Sequence, residues 1–198
     1  MEQFRGFMAG IGTASGTRLV IGHWESSPFG AFTDVMVQEA NGLRTLLAPT
    51  RETAHYVSST YRSDHVLAVP LDAELAPTGL SVSGGPLDLR AGLGRVTPLG
   101  RLLERVPPPL AVSPRWLRLI SPLSSLVVPG VRTAGSAGGG RREYYGVRSI
   151  RSIEWVDATW EGRNLGQLHP ISPPVEFGFS SVPSTPQIMA VTTTITGP

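Results

Sequence analysis

The chain has 198 residues with a formal net charge of +2, and 40% of its residues are hydrophobic against 16% that are charged. This composition excludes a disordered chain and allows one domain of ordinary size with a core of its own. All 17 basic residues are arginine, and the chain contains neither lysine nor cysteine. Lysine Schiff-base chemistry, disulfide bonds and thiolate nucleophiles are therefore excluded within this chain.

The arginines are spread along the sequence beside 15 carboxylates, with no basic block. Nucleic acids bind to clustered positive charge, so the sequence predicts no nucleic-acid partner in spite of a pI near 9.5. No run approaches 18 apolar residues, and the first ten residues lack a sustained apolar segment. We expect a cytoplasmic protein without a membrane span, folded as a single domain over residues 1–198.

Glycine and proline, with 23 and 18 residues, favour strands joined by many turns over a helical bundle. Residues 1–16 end in G-I-G-T-A-S-G and are predicted to be a flexible lead-in, followed by a strand over Thr17–Trp24. The segments Phe32–Ala40 and Leu43–Ala48 flank Asn41-Gly42, a dipeptide typical of type I′ hairpin turns. The first part of the chain is thus predicted to contain a strand and a hairpin.

A helix is predicted to follow the hairpin. Thr50 is a suitable helix cap, and Ala54, Val57 and Tyr61 recur at helical spacing on one face. Val66–Leu71 is predicted to be a strand, and its proline favours a position at a sheet edge or a strand end.

The middle of the chain combines two strands with a helical insertion. Gly79–Ser83 and Leu87–Gly94 are predicted strands around a glycine-proline turn. Residues 97–129 are predicted to form apolar helices that serve as a lid, a pocket wall or a dimer contact. Three capped proline starts predict three short helices: Thr97-Pro98, Ser113-Pro114 and Ser121-Pro122.

The last third of the chain is again predicted to be strands. Thr133–Gly140 is a glycine-rich loop, Arg141–Ser149 and Ser152–Trp160 are two strands, and Glu161-Gly162 is a turn. Ile188–Thr196 is predicted to be the terminal strand. The sequence therefore predicts an α+β fold that is predominantly antiparallel β, with a barrel-like sheet enclosing a pocket and short helical insertions.

The densest cluster of reactive side chains lies in Gly138–Ser149. Side chains alternate between the two faces of a strand, so Arg142 and Tyr144 share one face while Glu143 and Tyr145 share the other. If the second face lies inside a barrel, a carboxylate sits beside a phenol, and this pair can bind or polarise a carbonyl or hydroxyl group. The alternative is a solvated edge strand whose arginines pair with neighbouring carboxylates.

Other chemistries have little support in the sequence. The four histidines show no metal-binding spacing, and the glycine run lacks the lysine and hydroxyl of a phosphate-binding loop. No nucleophile elbow of the form G-x-S-x-G is present. We predict no metal and no cofactor.

Two short motifs carry a resemblance to a known family. R-E-Y-Y-G-V-R-S at Arg142–Ser149 resembles the active-site strand of the acetoacetate decarboxylase superfamily, in which G-R-E is followed at a fixed distance by Pro-Lys. S-P-F-G-A-F-T-D at Ser27–Asp34 resembles the S-P-x-G-P-Y-x-E strand of that family, whose acidic residue faces the pocket. Together the two motifs cover about 16 of the 198 residues.

The motifs also depart from the family pattern. Ser149 stands where the family has its Schiff-base lysine, and Arg141, Arg148 and Ala31 replace a glycine and two prolines. The resemblance therefore implies the fold, a β-barrel around an apolar pocket, and argues against acetoacetate decarboxylation. It carries over Asp34, Arg142 and Glu143 as pocket groups only.

These observations lead to a first hypothesis of a β-barrel protein that binds a small apolar, carbonyl-bearing or carboxylate-bearing ligand, with or without enzymatic activity of a non-decarboxylating type. Glu143 or Asp34 would act as acid and base, Arg142 would hold a carboxylate, and Tyr144 or Tyr145 would donate a hydrogen bond. The alternative hypothesis is a non-enzymatic interaction or assembly protein, whose apolar helices in residues 97–129 form the contact of a homo-oligomer.

Overall fold

The computed structural model describes residues 1–127, 133–136, 140–178 and 182–197, with the backbone alone for 122–127. Within these ranges, thirteen strands form one sheet that curls into a half-barrel, and the helices are few and short. All strand pairings in this part of the chain are antiparallel except that of β4 with β5. The predicted fold class is confirmed.

The helices and strands are numbered in chain order. The strands are β1 (Glu2–Thr13), β2 (Arg18–Ser26), β3 (Phe32–Gln38), β4 (Arg44–Ala48), β5 (His65–Ala68), β6 (Asp72–Ala76), β7 (Gly79–Gly84), β8 (Leu87–Val96), β9 (Ala134–Ser136), β10 (Arg142–Trp160), β11 (Arg163–Asn164), β12 (Leu168–His169) and β13 (Gln187–Thr196). The helices are α1 (Arg51–Thr60), α2 (Pro98–Leu103), α3 (Pro108–Ala111) and α4 (Pro114–Val127).

The strands follow the order β5-β4-β3-β2-β1-β13-β10-β8-β7-β6 across the sheet, and β9, β11 and β12 add short pairings. The short, exposed strand β5 lies at one edge, as the proline in Val66–Leu71 predicted. The other edge is β6, which the sequence analysis did not predict. Among the helices of the described ranges, none is long and apolar enough to cross a bilayer.

The predicted flexible lead-in over residues 1–16 is wrong, because β1 occupies most of it and pairs with both β2 and β13 near the middle of the sheet. Its glycines permit close packing. A Cβ on Gly12 would lie 2.6 Å from the carbonyl oxygen of His169 and 2.7 Å from that of Pro170. Glycine here marks the close approach of another backbone rather than flexibility.

The predicted hairpin of β3 and β4 is confirmed, with Val35 opposite Leu47. Its turn differs from the prediction. Gly42 has a φ of 92°, whereas Asn41 does not adopt a positive φ. The loop is therefore a type I turn followed by a left-handed glycine, which is the usual form of a three-residue hairpin connection.

The capped helix starts at Thr50 and Thr97 are confirmed, since the hydroxyl of each accepts a hydrogen bond from a backbone N–H in the first turn. The predicted third helix at Ser121-Pro122 is wrong, because α4 continues through these residues to Val127. A proline can start a helix, but local sequence does not show whether a helix already runs through it. Residues 128–132 lie outside the described part of the chain.

The two strands predicted over 141–149 and 152–160 are one long strand, β10. Its first half pairs with β13 and its second half with β8. Register shifts between Val147 and Ser149, and again between Arg151 and Trp155, interrupt the regular alternation. Such bulges bend a strand without ending it, and so the sequence pattern looked like two strands.

The sheet buries both of its faces. In β2, Leu19 and Ile21 pack in one core, while Val20 and Trp24 pack in a second core on the opposite face. This alternation is the period of two that a strand imposes on its side chains. The second core contains the candidate site.

Candidate functional site

Asp34 projects from β3 into the second core, between the apolar side chains of Phe32 and Met36. The residue as a whole is 4% exposed. The indole Nε1 of Trp24 donates a hydrogen bond of 2.8 Å to Asp34 Oδ1. Asp34 Oδ2 accepts no hydrogen bond from any residue of the described ranges, so one oxygen of this buried acid is free.

The bond between Trp24 and Asp34 depends on Gly22, which pairs with Asp34 across the two strands. A Cβ at this position would lie 2.7 Å from Trp24 Nε1 and 2.8 Å from Asp34 Oδ1. Carbon atoms do not approach polar atoms this closely, so one of the two side chains would have to move. The absence of a side chain at Gly22 therefore leaves room for the hydrogen bond between Trp24 and Asp34.

We expect Gly22→Ala to destabilise the protein by about 1–3 kcal/mol, the usual effect of adding a methyl group to a packed site. Gly197→Ala is the control, because a Cβ there meets no atom within 4 Å, and its effect should stay below about 1 kcal/mol. Denaturant unfolding of the two variants measures both values. Equal destabilisation by the two changes would contradict the role of Gly22.

Glu143 projects into the same core from β10 and is fully buried. The hydroxyl of Tyr61, at the end of α1, donates a hydrogen bond to Glu143 Oε1. A second hydrogen bond of 3.0 Å joins the hydroxyls of Tyr61 and Tyr145. Glu143 Oε2 is buried and has no hydrogen-bond partner among the residues that the structure describes. Like Asp34, this acid has one oxygen that accepts a hydrogen bond and one that has no partner in the described part of the chain.

Burial sets the charge of both acids. It raises the pKa of Asp34 to about 7, against the lowering effect of the hydrogen bond from Trp24. It also raises the pKa of Glu143 to about 7, against the lowering effects of hydrogen bonding by Tyr61 and Tyr145 and of the positive charge of Arg141. Desolvation favours the neutral form of an acid, and so both groups change charge near neutral pH. Acids of this kind can both donate and accept protons there.

The Tyr61→Phe variant tests this balance. The phenol hydroxyl stabilises the charged form of Glu143, so its removal should raise the pKa of Glu143 above that of the wild-type protein. The carbon NMR shift of the Glu143 carboxyl, followed across a pH titration, reports that pKa. Tyr56→Phe provides the control, because its hydroxyl bonds Glu2 instead. A pKa that stays the same in Tyr61→Phe would contradict the hydrogen bond.

Both acids line a cavity that we call the inner cavity, between the curled sheet and α1. Its space, including the part open to solvent, is about 430 Å³. The buried hydroxyl of Thr193 also lines it and has no hydrogen-bond partner in the described part of the chain. The rest of the lining is mainly apolar and includes Phe4, Met8, Val20, Phe32, Met36 and Ile195.

Aromatic rings form one side of the inner cavity. The ring centroids of Phe4 and Trp24 are 5.7 Å apart, and those of Phe4 and Tyr56 are 5.4 Å apart. The guanidinium carbon of Arg141 lies 5.1 Å from the centroid of Tyr56, a distance that suits a cation–π contact. Arg141 also donates a hydrogen bond of 2.8 Å to Ser59. These contacts connect α1 to the start of β10.

A second cavity, which we call the outer cavity, lies beside the first. Its space, including the part open to solvent, is about 650 Å³. Tyr145 lines this cavity and Glu143 lines the inner one, while Tyr61 lines both. Through its two hydrogen bonds, Tyr61 therefore links Glu143 of the inner cavity to Tyr145 of the outer cavity.

The structure does not bring all the sequence-predicted site residues together. Asp34, Glu143 and Tyr145 face the cavities, whereas Arg142 and Tyr144 lie on the opposite face of β10. Arg142 is exposed, and Tyr144 is buried with the guanidinium of Arg118 at 6.0 Å from its ring centroid. Neither Arg142 nor Tyr144 belongs to the lining of the inner or the outer cavity.

Ser149, which stands at the position of the family's lysine, also lies away from both cavities. Its hydroxyl donates a hydrogen bond of 2.7 Å to Glu104. The register shift between Val147 and Ser149 changes the face on which later side chains of β10 emerge. In the part of the chain that is described, no group of three or more histidine and acidic side chains could hold a metal ion.

Sequence reasoning missed three polar contributors to the site. Tyr61 was assigned to the apolar face of a helix, Trp24 to the end of a strand, and Thr193 to the terminal strand, without a role in binding. The contact of Trp24 with Asp34 could have been predicted, because Trp24 precedes Asp34 by ten residues and lies on the neighbouring strand. Tyr61 is 82 residues from Glu143, and no local pattern reports such a distance.

No family model and no curated protein matches the chain. Among solved structures, it is similar to the acetoacetate decarboxylase of Legionella pneumophila. The TM-score is 0.41 and the sequence identity is 11%, over 99% of this chain and 82% of the other. The two chains are distantly similar in fold. A similarity of this size says nothing about the residues of the site.

Proposed function

We propose that this protein binds a small, mainly apolar molecule with a carbonyl group in the inner cavity, and that the two buried acids exchange protons with it. One observation carries the proposal. Asp34 and Glu143 line the same apolar cavity, and each has one oxygen held by a protein donor and one without a partner among the described residues. Apolar pockets that contain a few polar groups are typical of ligand sites.

The chemistry follows from the pKa values of the two acids. With a pKa of about 7, each acid is protonated for part of the time at neutral pH. A protonated acid donates a hydrogen bond to the carbonyl oxygen, while the ionised acid accepts a proton from the carbon next to the carbonyl. The carbonyl compound becomes its enol, and the reverse transfer restores it, so no electrons or atoms are gained or lost.

The chain has no lysine, so it cannot form the Schiff base on which lysine-dependent decarboxylation relies. Proton transfer by paired acids needs no covalent intermediate. The proposed activity is therefore reversible enolisation of a ketone or aldehyde, or binding of such a compound without turnover.

The binding of 2-pentanone tests the proposal. A ketone only accepts hydrogen bonds, so a protonated acid binds it better than an ionised one, and its affinity should weaken above pH 7 by up to about tenfold for each pH unit. Isothermal titration between pH 6 and pH 9 measures this dependence. In Asp34→Asn/Glu143→Gln the amides remain donors at every pH, and the affinity should become independent of pH. Absence of binding at pH 6, or the same pH dependence in the double variant, would contradict the proposal.

Exposed leucines on the helices favour a second candidate function, self-assembly through the 97–129 segment. Leu102 is 59% exposed and Leu119 is 70% exposed. Exposed apolar side chains are a feature of contact surfaces. Sedimentation of the wild-type protein and of Leu102→Ser/Leu119→Ser tests this candidate, which requires a defined oligomer that the variant dissociates. A wild-type monomer would exclude it.

A further inference from the structure

We infer that the ligand of this site is an amphipathic carbonyl compound with an unbranched apolar tail, whose head lies in the inner cavity and whose tail lies in the outer cavity. The inference rests on the proposed function, because it uses the same acids to hold the carbonyl group. It adds the class of substrate and the residues that select the length of the tail.

The two cavities are neighbours with a common boundary. Met8, Val20, Met36 and Tyr61 line both of them. These four side chains form the boundary that a ligand occupying both cavities would have to pass. Two of the four are methionines, which have flexible, unbranched side chains and adapt to the shape of a bound molecule.

Polar and apolar groups are distributed unequally between the cavities. The inner cavity contains one oxygen of Asp34, one oxygen of Glu143 and the hydroxyl of Thr193 that have no hydrogen-bond partner within the described ranges. The outer cavity also has hydroxyls, those of Tyr61, Tyr145 and Thr133, but each of them already takes part in a hydrogen bond within the protein. The rest of its lining is mainly apolar and includes Val147, Val175, Phe177, Val182, Met189 and Val191. One end of the combined space is thus suited to a polar head, and the other end to a hydrocarbon chain.

The distribution of polar groups between the cavities indicates which end of the ligand lies in which cavity. A carbonyl group in the outer cavity would find the hydroxyl of Tyr145, which already shares a hydrogen bond with Tyr61. In the inner cavity, the same group would find two acids that each have one oxygen without a hydrogen-bond partner in the described residues. Burying a polar atom without a partner is unfavourable, so a ligand that satisfies these oxygens is preferred.

The experiment uses a series of methyl ketones, from 2-butanone to 2-nonanone, titrated into the full-length protein at pH 6. Each methylene that enters an apolar cavity should raise the affinity about fourfold, until the tail fills the outer cavity. Val147→Phe narrows that cavity and should reduce the affinity for 2-nonanone at least tenfold while leaving 2-butanone unchanged. Val66→Phe is the matched control, because Val66 is 44% exposed at the sheet edge.

Val147→Ala provides a second test if the larger side chain prevents folding. It removes contacts with the tail alone, so it should weaken 2-nonanone several-fold and leave 2-butanone unchanged. Two results would overturn the inference and leave the proposed function intact: an affinity that is equal across the series, or a Val147 variant that weakens short and long ketones alike. If the wild-type protein binds no ketone, the proposed function itself is wrong.

Discussion

Asp34→Asn is expected to be more stable than the wild-type protein at pH 8 by about 4 kcal/mol, and to lose this advantage below pH 4. An unfolded Asp ionises near pH 3.8, whereas burial raises the pKa of Asp34 in the folded protein to about 7. Between these values the folded state keeps a proton that the unfolded state has released. The wild-type protein therefore loses stability as the pH rises from 4 to 7, at about 1.4 kcal/mol per unit.

Urea unfolding at pH 4, 6 and 8 measures this difference. Asn cannot ionise, but it retains an oxygen that can accept the hydrogen bond from Trp24. Asp64→Asn is a control for which the opposite change in stability is expected. Arg44 holds the pKa of that exposed acid at about 2, so its ionised form stabilises the folded state, and the substitution should lower stability slightly at neutral pH. If Asp34→Asn is less stable than the wild-type protein at pH 8, the ionised carboxylate of Asp34 stabilises the folded state, contrary to this prediction.

Glu143→Gln is expected to reduce proton exchange on a bound ketone by about 100-fold or more, the usual contribution of a general acid or base. The amide can still accept the hydrogen bond from Tyr61 and donate one to a carbonyl oxygen, so binding of 2-pentanone at pH 6 should be retained. Exchange of the α-protons of 2-pentanone for deuterium, followed by proton NMR in D₂O, measures the reaction.

The same variant separates a chemical role from a structural one. Because Gln cannot carry the unfavourable buried charge, the melting temperature at neutral pH should not fall below that of the wild-type protein. Asp64→Asn should leave the exchange rate unchanged, since Asp64 lies at the surface with Arg44. If Glu143→Gln unfolds the protein, Glu143 has a structural role. If the exchange rate is unaffected, the proton is moved by another group.

Alternation along single strands made part of this site predictable from the sequence. The period of two places Glu143 and Tyr145 on one face of β10 and Arg142 on the other, and this parity does not depend on tertiary structure. It does not tell which face is buried. The resemblance carried over Arg142 and Glu143 together as pocket groups, although neighbouring residues of a regular strand point in opposite directions.

Other features were hidden because they depend on contacts between distant residues. The glycines of β1 looked flexible, and only the neighbouring strands show that Gly12 makes room for another backbone. Gly22 had no recognisable role before Trp24 and Asp34 were seen to meet beside it. Tyr61 reaches Glu143 only because α1 packs against the curled sheet. Sequence patterns report local geometry, and these contacts are not local.

The most direct test of the account is the carbon NMR spectrum of protein labelled at its Asp and Glu carboxyl groups, recorded at pH 6 with increasing 2-pentanone. We predict that the resonances of Asp34 and Glu143 shift together and saturate, and that each titrates near pH 7 in the free protein. The resonance of Asp64 should not respond to the ketone. If Asp34 and Glu143 stay unchanged up to the solubility limit of the ketone, the inner cavity is not a carbonyl-binding site.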